Sequence, residues 1–231
     1  LNMGRRLLER YPWAQSIADR AESLFAAEGS GEIMACIYKD VERAANKDEL
    51  AAWQSLLKQT NIAQPAITLS SLLWYEYLKR LGLDFSVFAG HSLGELTAFY
   101  AAGLMDADTL LQFSAFRGMS MARKGSGTMA SLQCTSAEAE KLIARADGYV
   151  AIANINGPQQ TVISGEASAV NMIVQLAGQA QINAIELPVS AAFHSKLVAE
   201  VAGNISGYGL LKGNKHYVSA GKLISSVYGS E

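Results

Sequence analysis

Phe85-Ser86-Val87-Phe88-Ala89 runs directly into Gly90-His91-Ser92-Leu93-Gly94-Glu95. An apolar strand, a G-x-S-x-G turn and a helix over Leu96 to Ala102 together make the sequence form of a nucleophile elbow. G-x-S-x-G alone arises by chance, so the strand before and the helix after carry the weight. Such a turn pushes the Ser92 hydroxyl outward at the sheet edge, and glycines at 90 and 94 leave room for a strained backbone. The helix N-terminus and the Leu93 N–H are then positioned to stabilise an oxyanion. The chemistry is acyl transfer through a serine ester.

A serine needs a base, because its hydroxyl is barely ionised near neutral pH. Three histidines are available: His91, His194 and His216. His91 flanks Ser92, but adjacent side chains on a tight turn point apart, which suits it to the oxyanion or thioester neighbourhood. His216 lies between Lys215 and Tyr217 in a polar stretch and is expected at the surface. His194 falls in a loop able to fold back over the elbow, although spacing alone leaves a structural role equally open.

Composition narrows the class. The chain has 231 residues, half of them apolar, and a net charge of −2. That fits one large domain or one and a half. Near-neutral charge without a basic cluster argues against nucleic acid as a partner. No apolar run approaches the roughly 18 residues of a membrane span, and the start lacks a signal-peptide pattern, so a cytoplasmic protein is expected. Cys36 and Cys134 lie far apart in apolar stretches and read as buried thiols. The histidines lack metal-ligand spacing. Both ends, Leu1-Asn2-Met3-Gly4 and Val227-Tyr228-Gly229-Ser230-Glu231, read as cut from something longer.

The elements that must position these groups follow from periodicity. Trp13, Ile17, Ala21, Leu24 and Phe25 predict an amphipathic helix over 12–27, followed by another over 49–57. Gln64-Pro65-Ala66 opens a long helix ending near Gly82, with Pro65 in its first turn. Asp106 and Asp108 are placed to cap a helix through about Ala122 that carries Arg117. From residue 127 the pattern becomes strand 128–134, helix 136–146, strands 149–154 and 160–164, helix 167–180 and strand 182–187. That is a βαββαβ order, with a turn at Asn156-Gly157-Pro158. After it come a loop bearing His194, a helix over 197–205 and a strand over 222–227; no element is assigned to 203–213. The fold class expected is α/β: an α/β-hydrolase-like domain (1–126 and 188–231) with a parallel sheet, plus an inserted ferredoxin-like subdomain (127–187). The acyl site is expected in the cleft between them.

Gly90-His91-Ser92-Leu93-Gly94-Glu95, Arg117 and Ala191-Ala192-Phe193-His194-Ser195 resemble the malonyl-CoA:acyl carrier protein transacylase family. Gln64-Pro65-Ala66 and Asn156-Gly157-Pro158-Gln159-Gln160-Thr161-Val162-Ile163-Ser164-Gly165 extend the resemblance over nearly the whole chain. The flavour is that of acyltransferase domains from polyketide and polyunsaturated-fatty-acid synthases. The resemblance implies Ser92 as nucleophile, His194 as general base and then acid, and Leu93 N–H as an oxyanion donor. It implies Arg117 as a clamp on the malonyl carboxylate, with Gln64, His91 and Phe193 also at the substrate. Phe193 beside the base would crowd an α-methyl and so favour malonyl. Ala191 departs from the family's usual pattern, and the family's G-Q-G-x-Q stretch, a second oxyanion donor, is not in this chain. Malonyl-CoA, an acyl carrier protein and neighbouring synthase domains are the implied partners, with CoA thioester as substrate and no bound cofactor. A serine hydrolase sharing the elbow is the alternative, and a silent docking module a third reading.

Overall fold

A computed structural model describes residues 1–44, 46–124, 126–189, 191–209 and 219–228. The chain forms two compact units. One comprises Leu1–Leu57, Asn61–Met119 and Tyr208–Glu231; the other comprises Lys58–Thr60 and Ser120–Gly207.

The first unit begins with α1 (Arg5–Arg10), α2 (Pro12–Ala27), α3 (Ile33–Ile37), α4 (Lys47–Lys58) and α5 (Thr60–Arg80). Pro12 starts α2 at a position where its missing N–H costs nothing. The fully buried stripe of α2 is Ala14, Ala18, Ala21, Leu24 and Phe25, with Trp13 and Ile17 half-buried against the same core. Small residues allow close approach to Leu69, Leu72 and Leu73, while Trp13 also lies under the Arg80 guanidinium, 4.3 Å from its ring centre. The start of α5 also differs from expectation. It begins at Thr60, so Pro65 lies inside the helix and removes one backbone hydrogen bond.

After α5 come β1 (Val87–Ala89), α6 (Gly94–Ala101) and α7 (Ala107–Lys124). Asp106 Oδ1 accepts from the Thr109 N–H at 2.7 Å, the capping bond expected of it. Asp108 does not cap; it sits in the first turn and pairs with Arg20 at 2.6 Å. β1 pairs in parallel with β6 (Lys222–Ile224), Phe88 opposite Leu223. Both strands are shorter than their apolar runs. Ser225 ends β6 because its Oγ accepts from the N–H groups of Val227 and Tyr228, turning the backbone out of the ladder. Phe85 and Ser86 precede the strand, and Ser86 contributes only its carbonyl, to Lys222 N–H.

The second unit carries β2 (Thr128–Leu132), α8 (Ser136–Ile143), β3 (Val150–Gly157), β4 (Gln160–Gly165), α9 (Ala167–Gln179), β5 (Ala184–Glu186) and α10 (Ala199–Ser206). The four strands form one antiparallel sheet in the order β3-β4-β2-β5. Ala130, Leu132, Ile163, Val170 and Ile173 are fully buried between sheet and helices. Thr135 and Glu138 make a reciprocal capping box that fixes the start of α8. The hairpin turn is Pro158-Gln159 rather than Asn156-Gly157-Pro158, since β3 continues to Gly157, which pairs with Gln160. The 197–205 helix divides into a 3-10 turn, Lys196–Val198, and α10, because Val198 is not helical at ψ 13°.

Candidate active site

Residues 90–93 form a tight turn between β1 and α6. Ser92 has φ +51°, the left-handed region, which costs a non-glycine residue about 1–3 kcal/mol and recurs at functional sites. Three successive hydrogen bonds hold it: Gly94 N–H to His91 O at 2.9 Å, Glu95 N–H to Ser92 O at 3.1 Å and Leu96 N–H to Leu93 O at 3.1 Å. Leu93 caps α6, so its N–H belongs to the helix end whose amides have no intrahelical acceptor, one residue beyond Ser92.

The two glycines of the motif are not equivalent. A Cβ on Gly90 would lie 2.2 Å from the Gly94 carbonyl and 2.3 Å from Glu95 N, so strand end and helix start touch with no room for a methyl. A Cβ on Gly94 would meet nothing within 4 Å. Gly90→Ala is therefore expected to lower stability by about 1–3 kcal/mol or more and to abolish labelling of Ser92 by a fluorophosphonate probe. Gly94→Ala should retain both melting temperature and labelling, and parallel melts with probe labelling check the pair.

Arg117 stands on α7, in the same unit as Ser92. Its Nη1 donates to Gln64 Oε1 at 2.5 Å, joining two residues 53 positions apart. Burial pushes the guanidinium below its ordinary pKa, and the Glu95 carboxylate pulls it back up. Gln64 is buried on α5. Glu95 Oε1 in turn accepts from Ser226 N–H at 3.2 Å and Ser226 Oγ–H at 2.5 Å. Sequence reasoning quoted Glu95 as part of the motif without giving it a role, and missed Ser226. The polar Ser225-Ser226 pair after an apolar strand was the available signal.

His194 lies in the second unit, exposed, at φ +58°. Ser195 fixes this turn: its Oγ donates to Ala192 O at 2.7 Å and accepts from Leu197 N–H at 3.2 Å. A serine just before a helical turn is a capping signal, and it went unread. Ala191 and Ala192 are fully buried, and Ala192 N–H bonds Ser126 O at 2.8 Å. A Cβ on Gly127 would come within 2.9 Å of Ala192 Cβ and 2.2 Å of Gly165 O, so the turn lies directly on the small sheet. Phe193 is half-buried. His216 lies outside the described residues. Ser92, Leu93, Gln64, His91 and Arg117 thus share one unit, while His194 and Phe193 belong to the other.

The acyl transferase domain family model matches residues 2–213. Polyketide synthase GfsB of Streptomyces halstedii is 32% identical over 226 residues, covering 95% of this chain and 4% of that protein. The PKS-NRPS hybrid synthetase acdB of Aspergillus candidus is 37% identical over 159 residues, covering 68% of this chain and 6% of that protein. This chain spans between 2% and 9% of the length of such curated relatives. Among solved structures, the acyl-carrier-protein-S-malonyltransferase from Bartonella henselae superposes with a TM-score of 0.80. It is 30% identical and covers 98% of this chain and 70% of that one. A match over almost the whole chain, together with relatives above 30% identity, carries the assignment: the chain belongs to the acyl transferase domain family.

Proposed function

We propose that this domain moves a malonyl group from CoA to the phosphopantetheine thiol of an acyl carrier protein through an ester on Ser92. The single observation that carries the reading is Arg117: a half-buried guanidinium, held by Gln64, in the unit that contains the strained serine. Its planar fork matches a carboxylate bidentately, which is what distinguishes malonyl from acetyl. The malonyltransferase name of the Bartonella henselae relative supports both substrate and partner.

In this reading Ser92 Oγ attacks the thioester carbonyl while His194 takes the hydroxyl proton. Leu93 N–H stabilises the oxyanion. The C–S bond then breaks, and the proton passes from His194 to the leaving CoA sulfur. The carrier thiol next gives its proton to His194 and attacks the ester, and Ser92 Oγ leaves with that proton. The cycle balances without a resident cofactor. His91 and Phe193 line the acyl group. The proposal includes a hydrolase-like core, supported by the parallel β1–β6 pair leading into α6, and a ferredoxin-like subdomain built on 127–187, supported by the β3-β4-β2-β5 order, with the His194 loop on the subdomain's side. Neighbouring synthase domains and a cytoplasmic setting belong to it as well. Among the described residues no helix is long and apolar enough to cross a membrane. Membership of a transferase family leaves the hydrolase alternative disfavoured.

The test is Arg117→Ala. Losing one member of a buried charge pair typically costs about 3–5 kcal/mol, so malonyl-CoA turnover should fall roughly 10²-fold or more. Acetyl-CoA turnover should hold or rise, because no unpaired cation then remains in the pocket. Side-by-side steady-state rates check this, and equal loss with both substrates would remove the malonyl assignment.

A further inference from the structure

His194 holds φ +58°, a conformation that a residue with a side chain keeps only where its surroundings fix it. Ser195 does not anchor the turn to the rest of the fold, because both its partners, Ala192 O and Leu197 N–H, lie in the same loop. The Ala192–Ser126 bond ties down the segment before His194. The segment after it is tied by Tyr149, 47 positions away in sequence, whose Oη accepts the Lys196 N–H at 3.1 Å. Lys196 opens the 3-10 turn that follows His194, where a backbone donor has no acceptor within the turn. The Lys196 ammonium also folds over the Tyr149 ring, 4.0 Å from its centre.

Tyr149 is itself anchored. It leads into β3, and its carbonyl accepts the Glu166 N–H at 2.8 Å, just beyond the end of β4. A Cβ on Gly165 would lie 2.2 Å from that carbonyl oxygen, so the two backbones touch. One half-buried side chain on a fixed backbone therefore grips the segment after His194 twice, by its hydroxyl and by its ring face.

We propose that Tyr149 is a positioning residue for His194, its hydroxyl and ring fixing the turn that carries the imidazole. The inference rests on the reading of His194 as the general base. In this role Tyr149 touches neither the acyl group nor the reacting atoms. Its loss leaves malonyl-CoA binding intact and slows the step in which His194 takes the serine proton. Misplacing a reacting group by about 1 Å costs up to about 10²-fold.

The experiment measures single-turnover acylation by malonyl-CoA across concentration, with parallel melts, in the intact protein. The variants are Tyr149→Phe, Lys196→Met, His194→Asn, and each of the first two combined with the third. Tyr149→Phe keeps the ring and removes the acceptor, so the maximal rate is expected to fall about 10-fold at unchanged half-saturating concentration. Lys196→Met keeps the N–H and removes the cation, for an expected loss of about 3-fold in the same constant. Lys196 is exposed, so this variant gives the test without risk to folding. In the His194→Asn background both effects should vanish, because no imidazole remains to be positioned. A raised half-saturating concentration at unchanged maximal rate, or equal losses in the asparagine background, would overturn the inference. If His194→Asn slows acylation while Tyr149→Phe and Lys196→Met do not, only this inference fails. If His194→Asn leaves acylation unchanged, the base reading fails and takes the inference with it.

Discussion

Ser92→Ala is expected to leave no covalent adduct after incubation with malonyl-CoA, and to slow transfer by about 10⁴-fold or more, as removal of a nucleophile that works in concert with a base does elsewhere. Mass spectrometry of the intact protein, followed by peptide mapping, reads both results. Competing nucleophiles are poorly suited. Cys134 is buried, and desolvation pushes its thiol above the ordinary range, which keeps the thiolate scarce. Cys36 is shifted the same way by the same cause. Ser195 already uses its hydroxyl to hold the His194 turn. Among the described serines, Ser92 alone combines a left-handed backbone with a helix N-terminus beside it. An adduct mapped to either cysteine or to another serine would contradict the assignment.

The second large effect concerns the base. His194 has φ +58°, so alanine would test backbone strain along with chemistry; asparagine tolerates that region and isolates the imidazole. His194→Asn should keep its melting temperature and lose about 10²–10⁴ in the acylation rate. Stopped-flow acylation of wild type and variant, read beside parallel melts, checks it. If His91→Ala removed acylation while His194→Asn kept it, the roles of the two histidines would be reversed.

Local chemistry was legible wherever one residue type had a single physical use. The spacing from Trp13 to Phe25 bounded α2, and the change of pattern after residue 127 marked the strands of the antiparallel sheet. The turn around Ser92 was readable because its glycines sit between a strand and a helix. What escaped was nonlocal. The Gln64–Arg117 bond joins helices 53 residues apart, and Ser226–Glu95 spans 131 positions. Hydrogen bonds of that kind have no periodicity to betray them. Strand lengths also escaped, because apolar content marked 85–89 and 222–227 while the Ser86 carbonyl and the Ser225 hydroxyl decided where pairing stops. The demand for glycine fell on 90 alone, since contact between two backbones is set by three-dimensional approach rather than by motif.

The seating of the His194 turn on the small sheet has a bearing on how such a domain can evolve or be redesigned. Ala191 and Ala192 are fully buried, a methyl on Gly127 would run into Ala192 and the Gly165 carbonyl, and His194 and Ser195 are committed to the left-handed turn and its cap. Only Phe193, half-exposed in the middle, is left with latitude. Diversity in acyl preference should therefore accumulate at this one position. A saturation library at 193 would explore new substrates at little risk to folding, whereas one spread over 191–195 would consist mostly of inactive proteins.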